Sequence, residues 1–280
     1  MDFYSLDPVY YLSAPSLAWD AMLKSTGVSL FPLTSIPNYL FITQSIRGGL
    51  ASVLQYDKID ISKAKNKKLR IDYYDVNSLY GFIMTKILPI LYIETITDEK
   101  ELLKLFYENI ILTFCDFSPN DLVLFEVDLF IPYNHFYPII PAPFHSRGRL
   151  VTEYGFRERY KTFRPTLITY VIMGARITKF HTAIKFHGSS WMKSYINGNI
   201  EERNKHKNIP FKNTFFKLMN NSVFGKTIEN IFKRTKAKFI NDENEIDLIL
   251  KTQENIHLTL LDPSTLIVQY KNAVCPIEKP

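Results

Sequence analysis

The stretch "IDYYDVNSLYGFIMTKILPI" (Ile71–Ile90) changes character at a single carboxylate, Asp75. Residues 70–75 are rich in the aromatic and β-branched side chains of a strand, whereas residues 78–88 have the apolar spacing of a helix. Pro89 would end that helix, because proline removes a backbone N–H and clashes with the preceding turn. We therefore predict a buried strand that ends at Asp75 and leads directly into a helix.

A carboxylate at a strand-to-helix turn can bind a divalent cation, and the exposed backbone N–H groups of residues 76–79 can bind phosphate. Together they would accommodate a metal–triphosphate, with the ring of Tyr80 under the nucleotide sugar. The alternative is a plain helix start, in which Asn77 or Ser78 caps the helix and Asp75 lies near its positive end. The stretch by itself leaves both interpretations open.

The chain has 280 residues with 46% hydrophobic side chains, which is enough for one domain with a large insertion or for two packed lobes. Helices and strands alternate along the sequence without a regular βαβ rhythm, so we predict an α+β fold. The net charge of +6 indicates an anionic partner. The 21 Phe and 17 Tyr residues are typical of a protein that stacks nucleic-acid bases, and equally of an aromatic core.

The two cysteines, Cys115 and Cys275, lie far apart and lack the spacing of a metal site, so we expect free thiols in a reducing, intracellular compartment. The N-terminal residues resemble neither a signal peptide nor a transit peptide. No apolar stretch is long enough to span a membrane, so no membrane partner is expected. The six histidines do not have the spacing of a zinc site.

A second feature is the concentration of positive charge in residues 203–238, which contain a single acidic residue. On a helix, Lys217, Asn221 and Phe224 share one face, because they are spaced i, i+4 and i+7. That face offers a cation for phosphates, an amide, and a ring for a base, and Gly225 leaves room beside it. A solvated basic helix with Phe224 in the core is the alternative. The ten basic residues are Arg203, Lys205, Lys207, Lys212, Lys217, Lys226, Lys233, Arg234, Lys236 and Lys238.

These two stretches resemble motifs A and B of the family B DNA polymerases. Motif A of that family reads Asp-x-x-Ser-Leu-Tyr and corresponds to Asp75-Val76-Asn77-Ser78-Leu79-Tyr80. Motif B reads Lys-x-x-x-Asn-Ser-x-Tyr-Gly and corresponds to "KLMNNSVFG", from Lys217 to Gly225. The segments "LAWDAMLKSTGV", "IRGGLASV", "WMKSYI" and "FFKLMNNSVFGKTIEN" resemble more closely the protein-primed branch found in viruses, linear plasmids and self-synthesising transposons. The resemblance covers nearly the whole chain.

The resemblance implies a DNA-directed DNA polymerase that binds a DNA template-primer, a dNTP and two Mg²⁺ ions. Asp75 would ligate the metal and act with Lys217 as a catalytic residue. Lys217 would contact the triphosphate, with Lys205 or Arg203 as a second cation, and Tyr80 would be the steric gate against a ribose 2′-OH. The other nucleotide-binding residues would be Val76, Asn77, Ser78 and Leu79 through their backbone, and Asn221, Phe224 and Gly225 around the nascent base pair. DNA would contact Arg47, Gly48, Gly49, Lys226, Lys233 and Arg234.

The same resemblance divides the chain into five segments of a partial polymerase palm, with a mixed or antiparallel sheet, helical fingers and a branch-specific insertion. Residues 1–54 would be the end of an exonuclease region and a linker, and residues 55–114 the first part of the palm, with motif A. Residues 115–165 would be an insertion that touches a priming terminal protein. Residues 166–238 would be palm and fingers with motif B, and residues 239–280 the start of a second, truncated palm segment.

The sequence departs from the family pattern at several positions. Gly81 replaces a Pro and Phe224 replaces a Tyr, which are mild changes that keep the turn and the ring. Asp20 resembles a remnant of the third exonuclease motif, but Ser16 stands where that motif has Tyr. Motif C, Tyr-x-Asp-Thr-Asp, supplies the second metal-binding carboxylate and has no counterpart before Pro280. Two-metal phosphoryl transfer needs both ions about 4 Å apart, so we expect a truncated segment with weak or no activity by itself.

Three other interpretations of the sequence stay open at this point. The chain could be a non-catalytic nucleic-acid-binding remnant, either domesticated or decaying. It could also be a fragment of a gene whose motif C is encoded nearby. The third interpretation, an unrelated basic scaffold protein, requires both motifs to be coincidences.

Overall fold

A computed structural model describes residues 3–11, 13–48, 72–108, 122–133, 144–146, 149–229, 235–262 and 265–272 of the chain. The fold is α+β with antiparallel sheets, as the sequence predicts. In chain order, the described elements are a short 3₁₀ turn (Pro8–Tyr10), α1 (Ala14–Thr26), α2 (Ile36–Ser45), α3 (Leu79–Met84), β1 (Leu88–Ile96), α4 (Glu99–Tyr107), β2 (Val123–Ile131), β3 (Phe144–Ser146), β4 (Arg149–Val151), β5 (Gly155–Phe163), α5 (Arg164–Ile172), β6 (Arg176–Ser189), α6 (Lys193–Lys205), α7 (Pro210–Thr227), β7 (Lys236–Ile240), α8 (Glu243–Thr252), β8 (Gln253–Asp262) and β9 (Thr265–Asn272).

The largest described sheet has four antiparallel strands in the order β1-β6-β2-β5. Alternate residues of β2, namely Phe125, Val127 and Leu129, are fully buried in one core with the apolar residues of α4 and α5. Strands β1 and β6 approach each other closely at Gly188, where a Cβ atom would lie 2.1 Å from the carbonyl oxygen of Leu88. Only glycine fits at that position, so the close pairing of β1 with β6 depends on it.

The strands of this sheet lie between Leu88 and Ser189, and the predicted segment boundaries at 114/115 and 165/166 both fall inside it. The division into segments stays a prediction, but the structure joins β1, β2 and β6 in one sheet although the division assigns them to three different segments. The reason is that antiparallel pairing joins residues distant in the chain, and motif spacing carries no information about such pairs.

A second core is helical and is formed by α1, α6 and α7. Helix α1 ends before Gly27, which has the left-handed φ of +61° that favours glycine. Helix α3 packs on this core, because Met84 is buried in it and a Cβ on Gly81 would lie 3.7 Å from Cγ2 of Ile196. The residues that form the centre of the core are Leu17, Ala18, Ala21, Met22, Tyr195, Ile196, Phe216, Met219 and Val223.

A third, small core lies between α8 and the three-stranded sheet β7-β9-β8. Its buried residues are Ile240, Ile249 and Val268. No helix in the described part of the chain combines the length and the apolar character needed to cross a membrane.

The structure corrects the prediction for the stretch around Asp75. Residues 72–75 form no strand and are exposed. Residues 70 and 71, with which the predicted strand begins, lie outside the described residues. The predicted helix 78–88 is also shorter, since α3 ends at Met84. Pro89 lies in β1 instead of ending the helix, which is possible because β1 is an edge strand and needs no N–H there.

The buried tyrosines of the helical core lead to a prediction about alkaline pH. Burial raises the pKa of Tyr195 to about 12 from an ordinary value of 10.0, and burial also raises the pKa of Tyr4. The neutral phenols therefore stabilise the folded state fully below pH 10, and this stabilisation is lost as the pH rises through the folded-state values. We expect unfolding to accompany ionisation of these tyrosines, measured by circular dichroism and tyrosinate absorbance in one titration. Tyr4→Phe should reduce the loss, and full ionisation of all tyrosines in a folded protein would contradict the prediction.

Candidate functional site

Residues from both sequence motifs line one open cavity of about 630 Å³. Its walls are the loop before α3, the first turn of α3, and the facing sides of α6 and α7. Asp75 and Lys217, which are far apart in the sequence, both line this cavity. The lining residues are Tyr74, Asp75, Val76, Asn77, Ser78, Leu79, Tyr80, Gly81, Ile200, Arg203, Lys217, Asn220 and Asn221. We call this cavity the motif cleft.

The loop wall of the motif cleft is formed by an unusual backbone conformation at Ser78. Its φ of 54° and ψ of 39° are left-handed, which is uncommon for a residue other than glycine. The Ser78 carbonyl accepts a hydrogen bond from the Phe82 N–H at 2.9 Å, but the Ser78 side chain makes no capping hydrogen bond. Ser78 therefore occupies the N-cap position, in agreement with the expectation that Asn77 or Ser78 begins the helix, but it does so without a side-chain capping hydrogen bond, and it lines the cleft.

The helical wall of the motif cleft carries the face that the sequence predicts on α7. Lys217 and Asn221 line the cleft, and both residues are exposed. One turn further, the ring of Phe224 stacks on the ring of Tyr80, with centroids 4.0 Å apart and planes 11° apart. Gly225 faces open space, because a Cβ atom there would meet nothing within 4 Å among the described residues. The structure thus places the aromatic residues of the two motifs in direct contact.

Two cations of α6 were predicted as alternatives, and the structure separates them. Arg203 lines the motif cleft. Lys205 does not line it, and its ammonium group donates a hydrogen bond to Glu202 at 2.7 Å, which raises the pKa of Lys205. The sequence could not distinguish the two residues, because the direction in which each points depends on how α6 is rotated against its neighbours.

The predicted DNA-binding residues are not all described, and the two cations among those that are described make contacts within the protein. The guanidinium group of Arg47 donates hydrogen bonds to the carbonyl groups of Ser45, at 3.2 Å, and Lys161, and lies 4.2 Å from the ring centroid of Tyr160. Lys226 forms an ion pair with Glu229 at 2.7 Å. Gly48 is exposed, while Gly49, Lys233 and Arg234 lie outside the described residues. Their role in DNA binding stays a prediction.

Asp75 is the one carboxylate among the described residues that line the motif cleft. The described part of the chain contains no group of three or more His, Cys, Asp or Glu side chains that could hold a metal. These residues do not fit a pair of magnesium ions, which needs a second carboxylate. A single carboxylate does fit one Mg²⁺ ion that arrives with a triphosphate, because magnesium in such sites takes most of its ligands from phosphate and water.

Sequence reasoning missed two buried asparagines, Asn199 of α6 and Asn220 of α7. Asn199 is fully buried and Asn220 is 6% exposed, although Asn220 reaches the wall of the motif cleft. A signal was present, because Asn220 follows Phe216 by four residues and precedes Val223 by three, so it occupies a core position of α7. A polar residue in that position predicts a hydrogen-bonded partner in the core.

Comparison with known proteins identifies the class to which this fold and cleft belong. The family "DNA polymerase type B, organellar and viral" matches residues 2–277, and the chain belongs to this family. The family resemblance predicted from the two motifs is therefore confirmed. No curated protein is similar enough in sequence to count as a match.

Two solved structures of phi29 DNA polymerase share the fold. The orthorhombic crystal form aligns with 85% of this chain and 40% of its own, with a TM-score of 0.50 and 15% identity. The complex with primer-template DNA aligns with 97% of this chain and 42% of its own, with a TM-score of 0.53 and 13% identity. At this identity the likeness shows the fold alone. The chain spans about two fifths of the length of the phi29 enzyme.

Proposed function

We propose that this chain is the nucleotide-binding palm-and-fingers segment of a DNA-directed DNA polymerase of the protein-primed type. The observation that carries the proposal is that Asp75 of motif A and Lys217 of motif B line the same cleft. An incoming dNTP would bind in the motif cleft, opposite a template base. Membership of the type B polymerase family supports the same assignment.

The cations at the motif cleft account for binding of a triphosphate. Lys217 and Arg203 come from two different helices and would contact the phosphates from the helical side. The backbone N–H groups of residues 76–79 would contact them from the loop side. Asp75 would hold the Mg²⁺ ion of the nucleotide, which neutralises phosphate charge and orients the triphosphate. The role of this chain's residues is then to position the triphosphate against a primer end.

The stacked rings of Tyr80 and Phe224 would select the sugar and the base of the nucleotide. Tyr80 would act as the steric gate against a 2′-OH, and Phe224 and Asn221 would lie against the nascent base pair. Tyr80 is 50% exposed, so its ring can contact a ligand as well as Phe224. The open space at Gly225 would admit the base pair or the template backbone.

A matched pair of glycine variants tests the proposal that the open space at Gly225 admits the base pair or the template backbone. Gly225→Ala should leave stability unchanged or raise it by up to about 1 kcal/mol, because the new methyl group meets nothing and alanine favours a helix. It should nevertheless weaken dNTP binding several-fold in the presence of template-primer. Gly188→Ala is the control that lowers the unfolding midpoint, since its Cβ would clash with the Leu88 carbonyl. Equal destabilisation by both variants would contradict the prediction.

DNA and a priming protein are the partners that the proposal implies. Template-primer DNA would contact the region of Arg47, Gly48 and Gly49 and the basic residues Lys226, Lys233 and Arg234. If phosphate contacts dominate, the affinity for DNA should fall steeply as salt rises. Residues 115–165 would contribute to the surface for a priming terminal protein.

Primer extension with a template-primer, dNTPs and magnesium tests the proposal, together with binding of a dNTP to the same complex. We expect magnesium-dependent dNTP binding that Asp75→Asn reduces at least 10-fold, because the amide keeps the shape but loses the charge. Any primer extension should be lost in the same variant. Unchanged dNTP binding and unchanged extension in Asp75→Asn would overturn the assignment.

A second candidate function is binding of nucleic acid without catalysis. It is favoured by the single carboxylate among the described cleft residues and by the ten basic residues between Arg203 and Lys238. Under this alternative, DNA binding persists with normal salt dependence, while no primer extension occurs and Asp75→Asn changes nothing. The same two assays therefore distinguish the two functions.

A further inference from the structure

A chain of buried hydrogen bonds links the N-terminal segment to the wall of the motif cleft. The hydroxyl of Tyr4 donates to Oδ1 of Asn199, and Nδ2 of Asn199 donates to Oδ1 of Asn220 at 2.7 Å. Nδ2 of Asn220 in turn donates to the carbonyl oxygen of Ile196 at 3.5 Å. The chain of hydrogen bonds therefore runs from Tyr4 through α6 to α7 and returns to the backbone of α6.

This polar chain is surrounded by apolar side chains of the helical core, including Met219 and Val223. Tyr4, Asn199 and Asn220 are all at most 6% exposed. Buried amides contribute little net stability compared with a well-packed apolar pair, but they permit only the arrangement in which both amides are paired. A pair of this kind between two helices fixes their register, as a buried asparagine does in coiled coils.

The register of α6 against α7 matters because two cations of the motif cleft lie about one helical turn away from the asparagine pair. Helices α6 and α7 are joined by residues 206–209 and pair through Asn199 and Asn220, so they run antiparallel. Arg203 follows Asn199 by four residues on α6, and Lys217 precedes Asn220 by three residues on α7. Both steps are about one helical turn in the same direction. The asparagine pair therefore sets how the two cations of the motif cleft face each other.

We propose that Tyr4, Asn199 and Asn220 are positioning residues that hold α6 against α7 so that Arg203 and Lys217 bind one triphosphate together. The inference rests on the proposed nucleotide-binding function and adds to it Tyr4 and Asn199, which lie outside the sequence motifs, and Asn220, which occupies a variable position within motif B. Tyr4 and Asn199 do not line the motif cleft, so an effect of either on ligand binding must pass through the helix pair.

The test uses the full chain and inorganic triphosphate as the probe, with binding measured by calorimetry and folding by thermal unfolding. Asn199→Leu combined with Asn220→Leu replaces the amides by apolar groups of similar size. This double variant should fold but bind triphosphate roughly 5- to 20-fold more weakly than the unmodified chain. In a Lys217→Ala background the same double variant should cause almost no further loss, because the second cation is already absent.

Tyr4→Phe provides an independent variant, since it removes one oxygen and keeps the packing. It should weaken triphosphate binding in the same direction but by less, with unchanged secondary structure. If the leucine variants fail to fold, triphosphate binding by Tyr4→Phe tests the inference by itself: weaker binding supports it, and unchanged binding overturns it.

The outcomes of these measurements distinguish a failure of this inference from a failure of the proposed function. Equal triphosphate binding by the unmodified chain and by Lys217→Ala overturns the proposed function, and the inference falls with it. Binding that depends on Lys217 but is unchanged in the leucine variants and in Tyr4→Phe overturns the inference alone. A loss of the same size with and without Lys217 also overturns it, because the asparagines would then act independently of the cations.

Discussion

Replacing Lys217 by alanine is expected to weaken dNTP binding by roughly 10- to 100-fold, the largest effect on ligand binding that the motif cleft predicts. Lys217 is exposed at the cleft wall, so its ammonium group is available to a triphosphate. The loss corresponds to one charge-assisted contact of about 1.5–3 kcal/mol. Equilibrium binding of a fluorescent dNTP in the presence of magnesium and template-primer measures it.

Lys205→Ala is the matched control for the Lys217 prediction. Lys205 is also an exposed lysine near the motif cleft, but its ammonium group is paired with Glu202 and does not line the cleft. We expect less than a twofold change in dNTP affinity for Lys205→Ala, and an effect of Arg203→Ala close to that of Lys217→Ala. A larger loss in Lys205→Ala than in Arg203→Ala would show that the assignment of the second cation is wrong.

Replacing Arg164 by alanine is expected to lower the free energy of unfolding by about 3–5 kcal/mol. Arg164 is fully buried at the start of α5, and its guanidinium group donates hydrogen bonds to the carbonyl groups of Phe106, at 3.1 Å, and of Glu108. These carbonyls lie at the C-terminal end of α4, where a cation also interacts favourably with the helix dipole. Alanine would leave a cavity in the sheet core and would remove the hydrogen-bond donor of both carbonyl groups. Urea unfolding followed by circular dichroism measures the effect.

One further variant separates the loss of side-chain volume at Arg164 from the loss of its hydrogen bonds, and a second variant is a control at the surface. Arg164→Met fills most of the volume and should cost only about 1–3 kcal/mol, from the unpaired carbonyl groups. Arg159→Ala is the surface control, because Arg159 is an exposed arginine whose side chain pairs with Glu126 at 3.1 Å. It should change stability by less than about 1 kcal/mol. Equal destabilisation by Arg164→Ala and Arg159→Ala would contradict the structural role given to Arg164.

The residues of the motif cleft illustrate how far the sequence could predict the site. The motif around Asp75 and the motif around Lys217 were identified by residue type and spacing, and the structure brings both to one cleft. The strand predicted before Asp75 was wrong, because aromatic residues at 73 and 74 have strand propensity but are exposed here and have no strand pairing. Propensity is a weak guide when tertiary contacts are missing.

The choice between Arg203 and Lys205 could not be made from the sequence for a different reason. Both residues lie in the last turn of α6 and point to nearly opposite sides of it, about 200° apart, so a rotation of the helix by about half a turn would exchange which of them faces the cleft. That rotation is set by the buried contacts of Ile196 and Asn199, which are tertiary. The pairing of Asn199 with Asn220 was missed for the same reason, although the core position of Asn220 can be recognised on α7.

The sequence by itself determined the family of this protein, its α+β class, and the carboxylate, cation and aromatic residues to which the proposed function assigns the contacts with a nucleotide. These properties depend on residue type and local spacing, which the chain carries in any conformation. The tertiary structure alone decided which cation reaches the cleft, that the rings of Tyr80 and Phe224 stack, and that Arg164 secures the sheet core. Those outcomes depend on packing between segments distant in the chain, where burial and hydrogen bonding select one arrangement among many that local spacing permits.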